Sequence, residues 1–408
     1  MIATSRAGLT SRRVAQIQSS PIRDLLAQAR APGMISLAGG LPTADGFDVE
    51  GVEQAVAAAM REPHHALQYG LTEGEPRLRE ALCALMASRG IISGIDSVLV
   101  TSGSQQGIDL VARLLLDPDD IVVVERPSYL AAVSVFRLVT DNLEGVGRDA
   151  EGPDMAALDA LIAAGRRPRM MYLVPDFANP TGHTMSLARR RAILQWAAQH
   201  QVMIVEDDPY SELRFEGERV PGLFCLAQDE PLWQPWVIHM STLSKVVAPG
   251  LRLGWMVLPA ALYRPAVLLK QGMDLHTGTL TQLAAAHYLE SGRLAGRLTL
   301  LRGYYRERRD ALRDALQTQA GDLLQINTPG GGMFLWARLT EAAAAGKGGE
   351  ALSATDLLTR ALAQGVAFVP GAAFYDSTPD PRALRLSFSG PQVSEMPEAV
   401  ARLVRALR

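Results

Sequence analysis

Lys245 lies in a loop whose neighbouring residue types match what a phosphorylated aldehyde needs from a protein. The segment HMSTLSKVVAPGLRLGWMV, residues 239–257, begins apolar and turns polar at Ser241, Thr242 and Ser244. Lys245 follows at once, then Pro249, Gly250 and Arg252. A phosphate is held by hydroxyl donors, backbone N–H groups and a cation in a small volume. A Schiff base needs an amine that burial or a nearby cation keeps deprotonated near neutral pH. One loop offers both, with Thr242, Ser244 and Arg252 for a phosphate and Lys245 for an aldehyde. Alone, a lysine in a Ser/Thr loop is as easily a surface feature, so the weight falls on its neighbours.

Upstream, the apolar run Val202–Glu206 ends in Asp207-Asp208-Pro209-Tyr210. A carboxylate at the end of a buried strand can pair with a protonated pyridine nitrogen and make that ring an electron sink. By themselves the acids could equally cap the next helix; in this setting Asp207 is favoured for that role, Tyr210 could reach a phenolic oxygen on the same ring, and Asp208 is left as structural. In PDFANPTGHTMS, residues 175–186, the turn at Asn179-Pro180-Thr181-Gly182 offers the Asn179 amide to that oxygen. Ser102-Gly103-Ser104-Gln105-Gln106-Gly107 puts small residues where a helix starts, an anion site made of free N–H groups and the helix dipole. No Gly-Lys-Ser/Thr follows, so it is not a Walker loop. Tyr129, after Pro127-Ser128, is either a ring-stacking aromatic or plain core. Phosphate, aldehyde, pyridine nitrogen and phenolic oxygen are the handles of pyridoxal 5'-phosphate (PLP).

These motifs need a scaffold that gathers strand ends. Apolar runs at Val98–Thr101, Ile121–Glu125, Met170–Val174, Val202–Glu206, Val237–Met240 and Leu253–Leu258 read as strands. Helical patterns at Ser104–Leu115, Tyr129–Leu138, Met155–Ala163 and Leu187–Gln199 alternate with them. That alternation predicts an α/β fold, a largely parallel sheet with helices on both faces and ligands at the carboxyl ends of the strands. The last third reads differently: a long Arg-rich helix over Arg293–Thr318, short strands at Gln325–Asn327, Met333–Arg338, Ala367–Pro370 and Ala383–Ser389, and a helix at Ala354–Gln364. A second, smaller domain is expected there, with a surface loop or a fraying helix end at 341–350.

The 408 residues suffice for two domains, and a net charge of −3 calls for neither nucleic acid nor an anionic membrane. Cys83 and Cys225 form no disulfide framework or metal-ligand spacing, and no metal is expected. No window is apolar enough for a membrane span. The basic N-terminus has no apolar core of a secretory signal, and a flexible arm is preferred to a transit peptide, which makes the cytoplasm the expected location.

In their order, SGSQQG, PSY, NPTG, DDPY, STLSK and PGLRLGW resemble the fold-type I PLP aminotransferases of class I and II. LQYGLTEGEPRLR at 67–79 and ISLAGGLP at 35–42 are similar to the 2-aminoadipate/kynurenine branch. The resemblance implies a large domain over residues 51–290, with a mostly parallel seven-stranded sheet sandwiched by helices. A small α+β domain would comprise residues 291–408, joined by the N-terminal segment 1–50. It makes Lys245 the Schiff-base lysine and proton shuttle, with Asp207 on the ring nitrogen and Tyr210 and Asn179 on the ring oxygen. Ser104, Gln105, Thr242, Ser244 and Arg252 would hold the phosphate, and Tyr129 the ring. Tyr69 would reach across a homodimer interface to the partner's phosphate. Arg385, with Asn179, would bind the substrate α-carboxylate, and Gly40 would border the substrate. Thr242 stands where the family often has serine; its hydroxyl remains.

The expected reaction is ping-pong transfer of an amino group from an L-amino acid of 2-aminoadipate, aromatic or branched-chain type to a 2-oxo acid such as 2-oxoglutarate. Ser20 and Arg23, in SSPIRDLLAQA, fall where that branch has a mobile substrate-covering helix, so Arg23 is a candidate for a second carboxylate or a solvated arginine. β-Elimination or decarboxylation with the same cofactor is the alternative. A PLP-sensing regulator is less favoured, because too few residues precede Ile35 for a DNA-binding module.

Overall fold

The computed structural model describes Ser11, residues 31–345 and residues 351–408; Ser20 and Arg23 lie outside the described residues. A short strand, β1 (Ile35–Ser36), precedes the large sheet, whose strands are β2 (Val98–Thr101), β3 (Ile121–Glu125), β4 (Leu143–Val146), β5 (Pro168–Leu173), β6 (Met203–Asp208), β7 (Val237–Thr242) and β8 (Gly254–Val257). Their spatial order is β2-β8-β7-β6-β5-β3-β4, and β8 alone of the seven runs against the rest. The expected α/β fold with seven mostly parallel strands is what forms.

Alternation along each strand explains why the sheet is covered on both sides. Val122, Val124, Met170, Tyr172 and Val205 point into a core shared with Ile108 and Val111 of the helix Ser104–Leu115. Val123, Met171, Leu173 and Ile204 point the other way, onto Leu158, Ile193 and Leu194 of the helices Met155–Ala163 and Leu187–His200. Those last two helices start on side-chain caps, Asp154 accepting from the Ala156 and Ala157 N–H groups and Ser186 from Arg189. The helix Ser104–Leu115 differs: Gly103 precedes it and no side chain caps it. Its first N–H groups therefore stay available at the carboxyl end of β2.

The remaining strands are β9 (Leu324–Ile326), β10 (Phe334–Leu339), β11 (Val366–Ala367), β12 (Val369–Pro370) and β13 (Ala383–Ser387). The run read as one strand at Ala367–Pro370 is two short ones facing different partners. β12-β13-β10-β9 make an antiparallel sheet, while β11 pairs in parallel with β1. Thus the N-terminal segment from Ile35 is tied to the C-terminal third. The helix Arg293–Ala320 buries Leu294, Leu298, Leu301, Tyr305, Leu312 and Leu316, a helical stripe. The segment read as a surface loop or a fraying helix end opens with a turn of helix, Glu341–Ala344, capped by Thr340.

Candidate active site

Three strand ends meet in register where the chemistry gathers. Gly254 stands between Thr101 of β2 and Thr242 of β7. A Cβ at Gly254 would lie 2.8 Å from the Gly103 carbonyl carbon and 2.8 Å from the Ser104 nitrogen, so only glycine lets the two loops approach. Gly103, at φ +82, packs in turn against the Arg252 guanidinium, and Arg252 itself adopts the left-handed conformation at φ 51. The uncapped helix start and a cation are thereby side by side.

One cavity of about 670 Å³ is lined by Gly40, Ser104, Gln105, Tyr129, Asn179, Asp207, Tyr210, Thr242, Ser244, Lys245, Arg252 and Arg385. Tyr69 is not among its walls. It is 77% exposed on the surface, edge-on to His276 with ring centroids 5.7 Å apart.

Asp207 points to the face of β6 that carries Val205, while Glu206 and Asp208 point to the other. Its Oδ2 accepts the Tyr172 hydroxyl at 2.5 Å; its Oδ1 is buried with no hydrogen-bond partner. Burial pushes its pKa up to about 6, against the Tyr172 hydrogen bond. Asp208 instead accepts from the Ser211 N–H at 3.0 Å and hydroxyl at 2.6 Å, a local cap. Lys245 Nζ donates to the Gly40 carbonyl at 3.1 Å. Burial, then the nearby Arg385 and Arg252 charges, bring its amine down to about 8. Tyr210 is held well above its ordinary value, chiefly by burial.

Arg385 is 3% exposed on β13. Its Nη1 donates to Asn179 Oδ1 at 2.7 Å and its Nη2 to the Ala38 carbonyl at 2.6 Å, while Nε is buried without a partner. Phe334 and Phe374 lie under the guanidinium, 4.3 and 5.0 Å from its carbon. Burial lowers its pKa to about 10, and no carboxylate among the described residues pairs with it. Such a charge waits for an anion.

The Thr242 hydroxyl has one proton and two oxygen neighbours at 2.8 Å, the Leu253 carbonyl and the Ser244 hydroxyl. The carbonyl can only accept, so Thr242 donates there and receives from Ser244 and, at 3.1 Å, from the Ser244 N–H. Thr242 shapes the loop with its proton, the Ser244 hydroxyl proton is turned to Thr242, and the Arg252 guanidinium and the Ser104–Gln105 helix start stand nearer the role of donors.

Several contributors went unread in the sequence. Tyr172 is one; a tyrosine in the apolar run of β5 carries no motif. Leu130, Ala131, Val135 and Leu138 add apolar wall to the cavity beside Leu41, and in the sequence they read only as part of a helical stretch. Arg190, fully buried, donates to Asp176 Oδ2 at 3.0 Å and the Pro175 carbonyl at 3.1 Å, and Arg214 donates to Asp176 Oδ1 at 2.7 Å. Those two arginines hold the loop that presents Asn179.

PLP fits these residues. The orphaned Asp207 Oδ1 is an acceptor awaiting an N–H, Lys245 is a buried amine of lowered pKa, and the glycine-lined helix start beside Arg252 is an anion cradle.

The model for aminotransferase class I and II matches residues 32–403. The chain is 39% identical over 394 residues to a 2-aminoadipate transaminase of Thermus thermophilus, covering 96% of this chain and 95% of that one. It is 37% identical to aromatic-amino-acid aminotransferase 1 of Thermococcus litoralis, over 96% and 92% of the two chains. The crystal structure of the Thermus thermophilus alpha-aminoadipate aminotransferase LysN, complexed with N-(5'-phosphopyridoxyl)-L-leucine, superposes with a TM-score of 0.88 at 38% identity, covering 99% of this chain and 98% of that one. Fold, cavity and similarity over nearly the whole length agree, and the chain belongs to the class I and II aminotransferases, PLP enzymes of fold type I.

Proposed function

We propose that this aminotransferase takes the amino group of an L-amino acid with an aromatic or branched apolar side chain and passes it to 2-oxoglutarate in a ping-pong cycle. The supporting observation is one cavity that joins an amine of lowered pKa, a buried carboxylate with an oxygen that has no partner among the described residues, and a buried guanidinium with no counter-ion among them. Bound PLP supplies an aldehyde carbon that takes up and returns the amino group, and a ring that accepts electrons when the substrate Cα–H bond breaks.

In this reading Lys245 Nζ holds the cofactor and then, released, carries the proton away from the substrate carbon. Asp207 Oδ1 accepts the ring N–H and keeps it protonated, with Tyr172 fixing the carboxylate. Tyr210 and Asn179 bind the ring oxygen, and Tyr129 packs on the ring. The Ser104–Gln105 helix start, Ser244 and Arg252 hold the phosphate, and Thr242 orients Ser244. The Arg385 fork takes the α-carboxylate, with Asn179 in place beside it. Leu41, Leu130, Ala131, Val135 and Leu138 then meet the substrate side chain with hydrocarbon, which favours aromatic and branched donors. A second reading, a 2-aminoadipate donor whose far carboxylate meets Arg23, is carried by the similarity to the 2-aminoadipate transaminase.

The domain boundaries expected above belong to the same proposal. Residues 1–50 and 291–408 would move as one small domain over residues 51–290, which the β1–β11 pairing supports. Among the described residues no helix is long and apolar enough to cross a membrane, and none gather as a metal site. A cytoplasmic homodimer completes the proposal, in keeping with the two free cysteines.

The test is the visible spectrum of the purified protein through a half-cycle. A yellow band that bleaches with leucine or phenylalanine and returns with 2-oxoglutarate supports the proposal. A band that shifts but never returns, with ammonia or carbon dioxide released, moves the reaction to elimination or decarboxylation. Strong preference for 2-aminoadipate, lost in Arg23→Ala, favours the second reading.

A further inference from the structure

Lys270, in the helix Ala260–Asp274, has no exposed surface, and nothing in the chemistry above uses it. Its amine donates to Asp274 Oδ1 at 2.8 Å, one helical turn onward. Burying an ammonium is costly, and one carboxylate recovers only part of the cost. The pair is explained by what the carboxylate does with its other oxygen. Asp274 Oδ2 accepts the Ser102 hydroxyl at 3.1 Å, and the Gln106 side chain also hydrogen-bonds Asp274. Gln106 Oε1 accepts the Ser102 N–H at 2.7 Å. Ser102 and Gln106 bracket Gly103, Ser104 and Gln105, the turn out of β2; the Gly103 N–H donates to the Thr101 carbonyl at 2.8 Å, and no side chain caps the Ser104 and Gln105 N–H groups at the cavity.

The backbone after Asp274 is shaped to the same end. Leu275 takes φ 63 and ψ −59, and the His276 N–H closes a tight turn onto the Asp274 carbonyl at 2.7 Å. A leucine at positive φ is strained and persists where its surroundings impose it. The turn brings Thr277 Oγ1 to within 3.3 Å of the Ser102 hydroxyl, so Ser102 is held from both sides of the bend.

We propose that Asp274 is a positioning residue for the cofactor phosphate: anchored by buried Lys270, it clasps Ser102 and Gln106 and so fixes the N–H groups of the turn between them. The inference rests on the reading that this turn holds the phosphate.

Pyridoxal has the ring and aldehyde of PLP without its phosphate, so the two ligands separate this role from general damage. The full chain freed of cofactor is titrated with each, and their dissociation constants are compared. Asp274→Ala should weaken PLP binding about tenfold and leave pyridoxal unchanged, the scale of one charge-assisted hydrogen bond. Asp274→Asn, which keeps an acceptor, should recover part of the loss. Equal weakening of both ligands, or of neither, overturns the clasp. Should Asp274→Ala not fold, Ser102→Ala leaves the Lys270–Asp274 pair intact and should cut the preference for PLP about threefold; an unchanged preference overturns the proposal. A wild-type protein that does not prefer PLP over pyridoxal would sink the phosphate reading and the clasp with it. Preference retained in Asp274→Ala removes the clasp alone.

Discussion

Asp207, Lys245 and Arg385 share one cavity, and burial disfavours the charged form of each. Without ligand the fold therefore carries a cost that the proposed chemistry would account for. For Asp207 the sign follows from its folded pKa of about 6 against an ordinary 3.8. The folded state binds that proton more tightly, so stability falls as pH rises from the lower value through the higher and the loss is complete above it. Asp207→Asn removes the penalty: at pH 8 the cofactor-free variant should be more stable by up to about 3 kcal/mol, read by chemical denaturation. Its transamination rate should fall by at least about a hundredfold, because the amide keeps an oxygen acceptor but lacks the negative charge that, in the proposed reading, keeps the ring nitrogen protonated. A variant no more stable than the parent would show that Asp207 bears no such cost. Lys245 gives a kinetic counterpart. With its pKa near 8 the neutral amine is plentiful at that pH, so the rate of PLP capture should rise with pH and level off above about 8. A rate that keeps climbing toward the ordinary lysine range would refute the lowered value. At Arg385, lysine keeps the charge but not the fork; Arg385→Lys should raise the substrate KM about tenfold or more with the cofactor band unchanged.

At the scale of elements, the site is a contact between loops that glycine allows. Gly254→Ala sets a methyl against the backbone of Gly103 and Ser104, neither of which can rotate away. Overpacking of this kind costs about 1–3 kcal/mol, and here it falls on the turn proposed to hold the phosphate. The purified variant should carry less PLP per chain and lose it faster on dialysis; full retention would mean the β2 and β8 ends have room to part. This contact also marks the limit of sequence reading. Buried strands announce themselves as apolar runs, so β2, β3 and β5–β8 were legible, while β4, LEGV and half-buried at the sheet edge, has no such run. Motifs at strand ends named Lys245, Asp207, Asn179 and Arg252, because catalytic residue types are conspicuous in a loop. Tyr172, Asp274 and the Arg190–Asp176 pair were not legible, since each acts through another side chain far away in sequence. Thr242 was legible as a hydroxyl but not as one whose proton is committed to Leu253. The role expected of Arg385 came from family resemblance; only the fold shows that its charge is buried without a counter-ion among the described residues.

For the whole molecule, the question is why Leu67, Tyr69 and Leu71 stand 69%, 77% and 52% exposed in one short segment. Large apolar side chains grouped on a surface usually mark an interface. The Gln68 carbonyl accepts from Thr279, and Tyr69 leans on His276, just past the turn at Leu275. The segment is therefore held in place while its side chains face outward, away from the cavity of their own chain. A two-fold dimer would let each chain offer Tyr69 to its partner's cavity. Two variants that should each have lost activity, Tyr69→Ala and Lys245→Ala, decide it when their chains are mixed and allowed to exchange. If Tyr69 acts across the interface, a mixed dimer has one site with both Lys245 and a partner's Tyr69. Random pairing then restores about a quarter of the parent activity. If Tyr69 acts within its own chain, no site in the mixed dimer has both residues, and activity stays where the unmixed variants leave it. Restoration that tracks the mixing ratio and vanishes when exchange is prevented would tie the active site to the dimer.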